Sequence, residues 1–288
     1  MIPVAFDYAA PTTMGEALTL LAEAGDEGKI LAGGQSLIPV LKLRLAAPGK
    51  VIDLGRIEQL RGISEDGDSL VIGAMTPHHE VATSPLVARH AGLIAKAART
   101  IADPQVRHRG TFGGALVHAD PAGDLPAPAL ALDAEFVIAG PGGTRRVAAA
   151  DFFVDLFTTA VGEDEILTQV RIPKKTGWLS DYQKFVRVAQ QWSIVGVAVA
   201  VRVESGVIAE ARVGLTNMGS VPLRARGVEE ALVGCRPTED AIAEATASVA
   251  EGTTPPSDIN GGADYRRHLA AVLTRRAVLA AIPAAAAA

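Results

Sequence analysis

At 288 residues the chain has room for two domains and a substantial core, and its 49% hydrophobic content is that of a folded globular protein. Its formal net charge of −5, with basic residues scattered as pairs such as Arg145-Arg146 and Lys174-Lys175, excludes the basic stripe that tracks a phosphate backbone. No run approaches the ~20 apolar residues of a membrane span, and Met1–Asp7 shows no secretory signal, so a cytoplasmic protein is expected.

The first element reads as a helix. Thr13-x-x-Glu16 forms a capping box, Ala17, Leu18, Leu20, Leu21 and Ala24 supply the apolar stripe, and Gly25 can stop it. A short strand, Lys29–Ala32, runs into Gly33-Gly34-Gln35-Ser36. A second helix begins near Leu37, and Lys50–Leu54 is the next strand. A strand at Ser69–Gly73 precedes a helical region from about Pro77 to Ala102, and then a second glycine turn, Gly110-Thr111-Phe112-Gly113-Gly114. Glu135–Ala139 and Thr144–Ala148, joined by Gly140-Pro141-Gly142-Gly143, predict a hairpin, and Pro173 ends a strand over Glu165–Ile172. Lys174-Lys175-Thr176-Gly177 is the expected domain boundary. Beyond it three long strands, Asp181–Val188, Ser193–Val203 and Val207–Leu215, precede helices at about Leu223–Val233, Thr238–Glu251 and Asp264–Ile282. Strands followed by helices predict an α+β lobe of one antiparallel sheet and a helical bundle. The tail Ala284–Ala288 is expected to fray.

Cys235 is the lone cysteine, which excludes an intramolecular disulfide, an iron–sulfur ligand set and a cysteine-rich zinc site. Redox chemistry on this chain therefore requires a bound organic cofactor. The two glycine turns are where one would bind. Paired glycines let the backbone approach an anion, successive N–H groups converge on a phosphate, and a helix N-terminus adds a favourable dipole. Gly33 and Gly34, with the donor Ser36, form one such nest. Gly113 and Gly114, with Thr111, form a second about eighty residues further on. One Gly-Gly pair reads as a plain turn, whereas two fit a pyrophosphate clasped from both sides. Neither G-x-G-x-x-G after a strand nor G-x-x-x-x-G-K-[ST] occurs, which argues against a Rossmann domain or a P-loop. A metal site at His118, Asp120 and Asp124 lacks a second histidine cluster to support it. His78-His79-Glu80 reads as a polar helix start, and Ser36 lacks the G-x-S-x-G context of a hydrolase nucleophile.

Ala32-Gly33-Gly34-Gln35-Ser36-Leu37, followed by Lys42-Leu43-Arg44 and Val51-Ile52-Asp53-Leu54, resembles the first FAD loop of the molybdenum hydroxylase flavoprotein family. Val106-Arg107-His108-Arg109-Gly110-Thr111-Phe112-Gly113-Gly114 resembles the second loop, and Asp120–Pro126 the segment after it. The resemblance spans essentially the whole chain. It implies a PCMH/VAO-type FAD-binding domain over residues 1–176, with α/β subdomains at about 1–55 and 56–176. Residues 177–288 would form a CO-dehydrogenase-flavoprotein-like domain, a three-stranded antiparallel sheet with a helical bundle.

FAD is the cofactor that the resemblance implies for this chain. Ala32, Gly33, Gly34, Gln35 and Ser36, with Thr111, Gly113, Gly114 and Ala115, would wrap its pyrophosphate and ribityl chain. Asp124 would accept a hydrogen bond from the ribityl or adenosine side, and Leu167 would pack against flavin or adenine. Lys184 would lie near the isoalloxazine, where a cation stabilises reduced flavin, and Trp192 stands where relatives often carry tyrosine beside the ring. Three departures stand out. Phe112 and Ala115 replace the isoleucine and asparagine of a usual Thr-Ile-Gly-Gly-Asn, Asp103 stands where histidine is common, and Trp192 keeps an aromatic platform without a hydroxyl.

The resemblance also implies partners: a large subunit with a molybdenum cofactor, a small subunit with two [2Fe–2S] clusters, and an external electron acceptor. A dimer of heterotrimers is the expected assembly. The expected function is electron transfer through FAD, with Gln35 and the Asp120–Asp124 wording favouring an N-heteroaromatic substrate. The medium subunit of aerobic carbon monoxide dehydrogenase is the alternative, and a flavin-free scaffold homologue is the reading from another class. A self-sufficient flavin oxidase is disfavoured, because no acid–base residue accompanies the loops.

Overall fold

The computed structural model describes residues 2–283, so the expected fraying of Ala284–Ala288 lies outside the described residues. The chain begins with β1 (Asp7–Ala9), α1 (Met14–Ala24), β2 (Gly28–Leu31), α2 (Leu37–Lys42) and β3 (Lys50–Asp53). The three strands form a parallel sheet in the order β1-β3-β2. The expected cap forms with its return bond shifted by one residue: Thr13 Oγ1 accepts from the Glu16 amide at 3.2 Å, and Glu16 Oε2 accepts from the amide of Thr12, not of the N-cap Thr13, at 3.0 Å. Gly25, at φ +50°, ends α1. Ala17 and Leu21 then pack onto Ile52 and Leu54 in a small core.

The next unit comprises β4 (Ile63–Asp66), β5 (Ser69–Gly73), α3 (His78–Thr83), α4 (Pro85–His90), α5 (Gly92–Arg99), α6 (Pro104–Arg109), α7 (Phe112–His118) and α8 (Pro126–Ala131). It continues through β6 (Glu135–Gly140), β7 (Gly143–Ala148), α9 (Ala149–Phe152), β8 (Phe153–Asp155), β9 (Thr158–Thr159) and β10 (Ile166–Pro173). Its five-stranded sheet, β4-β5-β10-β6-β7, is antiparallel throughout. The expected helical region from Pro77 to Ala102 is three short helices. Pro85 disfavours helix at Ser84, whose Oγ instead caps α4 through the Val87 amide at 3.4 Å. The Gly140–Gly143 hairpin forms as expected.

The last unit carries β11 (Leu179–Phe185), β12 (Val195–Glu204), β13 (Val207–Thr216), β14 (Leu223–Arg224), α10 (Arg226–Leu232), α11 (Glu239–Ala245) and α12 (Ala263–Ala281). Ser205 and Gly206, both at positive φ, make the tight two-residue turn between β12 and β13. The sheet has four strands where three were expected. Leu223 and Arg224 pair with Leu215 and Gly214, so the segment read as a helix start is a two-residue strand, too short to show a period. Strand β12 is buried on both faces. Val195, Val197, Val199 and Val201 join the core with Leu273, Ala277 and Val278 of α12, while Ala198 and Ala200 face the core of the preceding unit. That seam needs small residues: a Cβ on Gly214 would stand 3.3 Å from Ala131 Cβ and closer still to the Ala127 carbonyl oxygen. The alanine-rich composition thus places two units backbone to backbone.

Candidate functional site

The two glycine loops meet. Residues Ala32–Ser36 connect β2 to α2, and Gly110 and Thr111 connect α6 to α7, whose first turn carries Phe112, Gly113, Gly114 and Ala115. A Cβ on Gly33 would run into the Arg109 carbonyl oxygen and stand 2.6 Å from Gly110 Cα. A Cβ on Gly114 would stand 2.6 Å from Thr111 Oγ1 and 3.1 Å from Ala32 Cβ. Gly34 sits at φ +74°, a conformation in which glycine carries no side-chain penalty.

The two loops are unlike in what their amides do. Among the described residues no backbone carbonyl takes the amides of Gly33, Gly34, Gln35 or Ser36. In the second loop the Phe112 amide donates to Thr76 O at 2.9 Å, Gly113 to Ala74 O at 2.8 Å, and Ala115 to Thr111 O at 3.1 Å. Gly114 donates to Thr111 Oγ1 at 3.2 Å, so Thr111 is the N-cap of α7. The open amides belong to the first loop, and the second forms the platform against which it closes. Phe112 is fully buried in the core and Ala115 is half-buried, so neither departure disturbs the contact between loops. Asp103 caps α6 through the Val106 amide at 2.9 Å.

His78 lies directly beneath the second loop. A Cβ on Gly110 would stand 2.8 Å from its Cδ2, and its backbone N–H donates to Gly110 O at 2.9 Å. Its Nδ1 has no hydrogen-bond partner, and burial, then the nearby Arg107 charge, lower its pKa to about 4. A histidine depressed from 6.5 stabilises the fold above pH 6.5, and that stability is lost as pH falls through the folded value. Acidification from about pH 6.5 to about 4 is expected to remove about 3 kcal/mol through this group. Thermal unfolding against pH checks it: a His78→Gln chain with the parent's acid profile would refute the assignment.

From the platform, α7 runs to His118. The His118 ring lies 5.2 Å from Phe157 and 6.4 Å from Trp192, centroid to centroid. Phe157 and Trp192 are each 52% exposed, and burial lowers the His118 pKa against the pull of Asp120. The three form an aromatic surface at the end of α7 opposite the loops.

The remaining expected site residues are turned towards protein. Leu167 is 4% exposed in the same core as Phe112 and Leu116, and its side chain is a packing group of β10. Asp124 is 6% exposed, and its Oδ1 accepts from Tyr182 Oη at 2.9 Å and Ser193 Oγ at 2.8 Å. Lys184 Nζ donates to Asp124 Oδ2 at 2.7 Å and to Thr100 O at 3.2 Å. The ammonium expected near the flavin is paired with this carboxylate. Burial pushes the Asp124 carboxyl above the ordinary carboxylate range, against the pull of Lys184, Ser193 and Tyr182. Burial, then Asp124, hold the Tyr182 phenol well above its usual value. Tyr182 could have been found: it stands two residues from Lys184 on a strand, so both face one way. Nothing local marks Ser193 or Phe157. Cys235 is half-buried against the last core, its Sγ donating to Ala231 O at 3.1 Å. Among the described residues no cluster of His, Cys, Asp and Glu could hold a metal, and no helix is long and apolar enough to cross a membrane.

Open amides, a glycine cradle and an aromatic surface along one helix fit a dinucleotide with a planar ring. The chain matches the FAD binding domain in molybdopterin dehydrogenase over residues 4–175 and the CO dehydrogenase flavoprotein C-terminal domain over residues 180–281. It is 41% identical over 284 residues to the carbon monoxide dehydrogenase medium chain of Hydrogenophaga pseudoflava, covering 98% of each chain. It is 37% identical to the nicotine 6-hydroxylase medium subunit of Paenarthrobacter nicotinovorans, over 96% of this chain and 97% of that one. A solved structure of carbon monoxide dehydrogenase from Hydrogenophaga pseudoflava, lacking the Mo-pyranopterin moiety, matches with a TM-score of 0.94 at 42% identity over 98% of both chains. Fold and loops are those of an FAD-binding oxidoreductase component. Within that class, the chain belongs to the medium-chain flavoprotein family of the molybdenum hydroxylases.

Proposed function

We propose that this chain carries FAD in a heterotrimeric molybdenum hydroxylase of the cytoplasm, between a large molybdenum-cofactor subunit and a small subunit with two [2Fe–2S] clusters. The observation that carries the reading is the closure of the second glycine loop against a first loop whose amides stay open. Bound FAD supplies the exchange between single electrons from iron–sulfur centres and electron pairs to an external acceptor. The chain's own residues bind, orient and enclose it. Gly33, Gly34, Gln35 and Ser36 present amides to the pyrophosphate. Ala32, Thr111, Gly113, Gly114 and Ala115 shape the cleft, and Trp192 lies beside the ring. Asp124, Leu167 and Lys184 act through the packing that holds these groups. The division between FAD-binding and C-terminal domains is taken at residues 176 and 177, and the assembly as a dimer of heterotrimers.

The substrate is an N-heteroaromatic compound in this reading, since Gln35 and the Asp120–Asp124 segment favour it. The 41% identity to a carbon monoxide dehydrogenase medium chain favours carbon monoxide as the second reading. Dye reduction by the copurified complex, with carbon monoxide and with a panel of N-heterocycles, separates the two. For the cofactor, an absorbance spectrum of the purified chain and chromatography after heating should show flavin bands and released FAD. A colourless chain that refuses added FAD would replace this reading with the scaffold one.

A further inference from the structure

Both oxygens of the Asp124 carboxylate are occupied by three donors from beyond the Lys174–Gly177 linker: Tyr182, Lys184 and Ser193. One of the three leads to the site. The Ser193 residue ends the loop between β11 and β12, and its neighbour is Trp192. The root of that loop is stitched to the segment that follows α7. The Ser193 amide donates to Ala122 O at 3.3 Å, its carbonyl accepts from Asn217 Nδ2 at 2.8 Å, and the Asn217 amide donates to Pro121 O at 2.8 Å. Further out the loop is exposed, with Val188 63% accessible; Gln191 ties it down through the Arg187 and Val188 amides and Asn260, and Arg187 Nη1 donates to Ile259 O at 3.2 Å.

We propose that Asp124 is a positioning residue: through Ser193 it holds the Trp192 loop against His118 and Phe157, so that the three aromatic side chains form one cup for a planar flavin ring. The inference rests on the FAD reading above and deepens it. Helix α7, whose seven residues span about 10 Å, leads from the glycine platform to the cup. The Asp120–Asp124 segment therefore has the second loop at one end of a rigid helix and the Trp192 loop on its own carboxylate. Moving Asp124 moves the cup relative to the cleft.

Tyr182 provides the internal control. It donates to the same Oδ1 as Ser193 but belongs to the regular strand β11. Trp178 and Trp192 are the two tryptophans, so a Trp178→Phe background leaves Trp192 as sole reporter. In the full-length FAD-loaded chain, acrylamide quenching of Trp192 and the visible circular dichroism of the flavin are compared for Ser193→Ala and Tyr182→Phe. Ser193→Ala is expected to raise quenching about three-fold, the population shift that loss of one hydrogen bond brings, and to change the flavin band. Tyr182→Phe is expected to match the parent in both. Equal responses from the two variants, or none from Ser193→Ala, would overturn the proposal. Repeating the quenching after FAD is stripped separates the two readings. A chain that cannot be loaded, yet frees Trp192 on Ser193→Ala, sinks the cofactor reading and upholds the positioning role.

Discussion

A Gly33→Ala chain is expected to emerge from purification folded but nearly free of FAD. The added methyl would meet the Arg109 carbonyl oxygen, with Gly110 Cα at 2.6 Å and the Arg109 carbonyl carbon at 2.9 Å. All three are backbone atoms, so no rotamer change relieves the clash and the loops must part. Overpacking of this kind costs about 1–3 kcal/mol, which corresponds to a loss of about five- to a hundred-and-forty-fold in FAD affinity if the strain is borne by the cleft. The effect does not need a charge. The geometry makes one methyl group sufficient. Gly142→Ala is the control, because no atom lies within 4 Å of a Cβ there. FAD content per chain and far-ultraviolet circular dichroism decide the matter: full occupancy in Gly33→Ala would show that the loops are not held against each other.

Lys184→Ala is expected to cost about 3–5 kcal/mol of stability at neutral pH, because it strands a buried carboxylate. The side chains of Lys184 and Asp124 are 9% and 4% exposed, so water cannot replace the ammonium. Tyr182 and Ser193 would still donate to Asp124 but would not balance its charge. For a domain of this size the melting temperature should fall by on the order of 10 °C. The pH dependence identifies the cause. Burial already raises the Asp124 carboxyl, and loss of Lys184 raises it further. A carboxyl whose folded value exceeds its unfolded one binds its proton more tightly in the native state, so stability falls as pH rises through that window. The deficit of Lys184→Ala should therefore shrink on acidification from neutral pH towards the ordinary carboxylate value of 3.8. A deficit that ignores pH would mean that lost packing, not a stranded charge, is responsible. Adding Asp124→Asn to Lys184→Ala should recover much of the loss at neutral pH, since the charge is then gone.

Much of the architecture was legible in local patterns. The helix start at Thr13 and Glu16, the glycine stop at Gly25 and the Gly140–Gly143 hairpin each report a backbone angle or a local bond, and each is found where it was read. The first glycine pair was legible as a turn between a strand and a helix, and only its combination with the second pair, about eighty residues away, pointed to a phosphate. What escaped depends on approach between distant segments. Thr76 and Ala74 take up the amides of the second loop, so an identical-looking nest became a platform. The protein partners of Asp124 were not legible, because a carboxylate in a polar turn shows none locally. Lys184, Tyr182 and Ser193 reach it only once the last sheet has docked. Leu167 went into the core because β10 is the central strand of its sheet, a position that pairing and not composition assigns. Periodicity, caps and turn residues act over a few bonds and are written along the chain. The partner of a buried polar group is selected by long-range packing, which leaves no repeat to read.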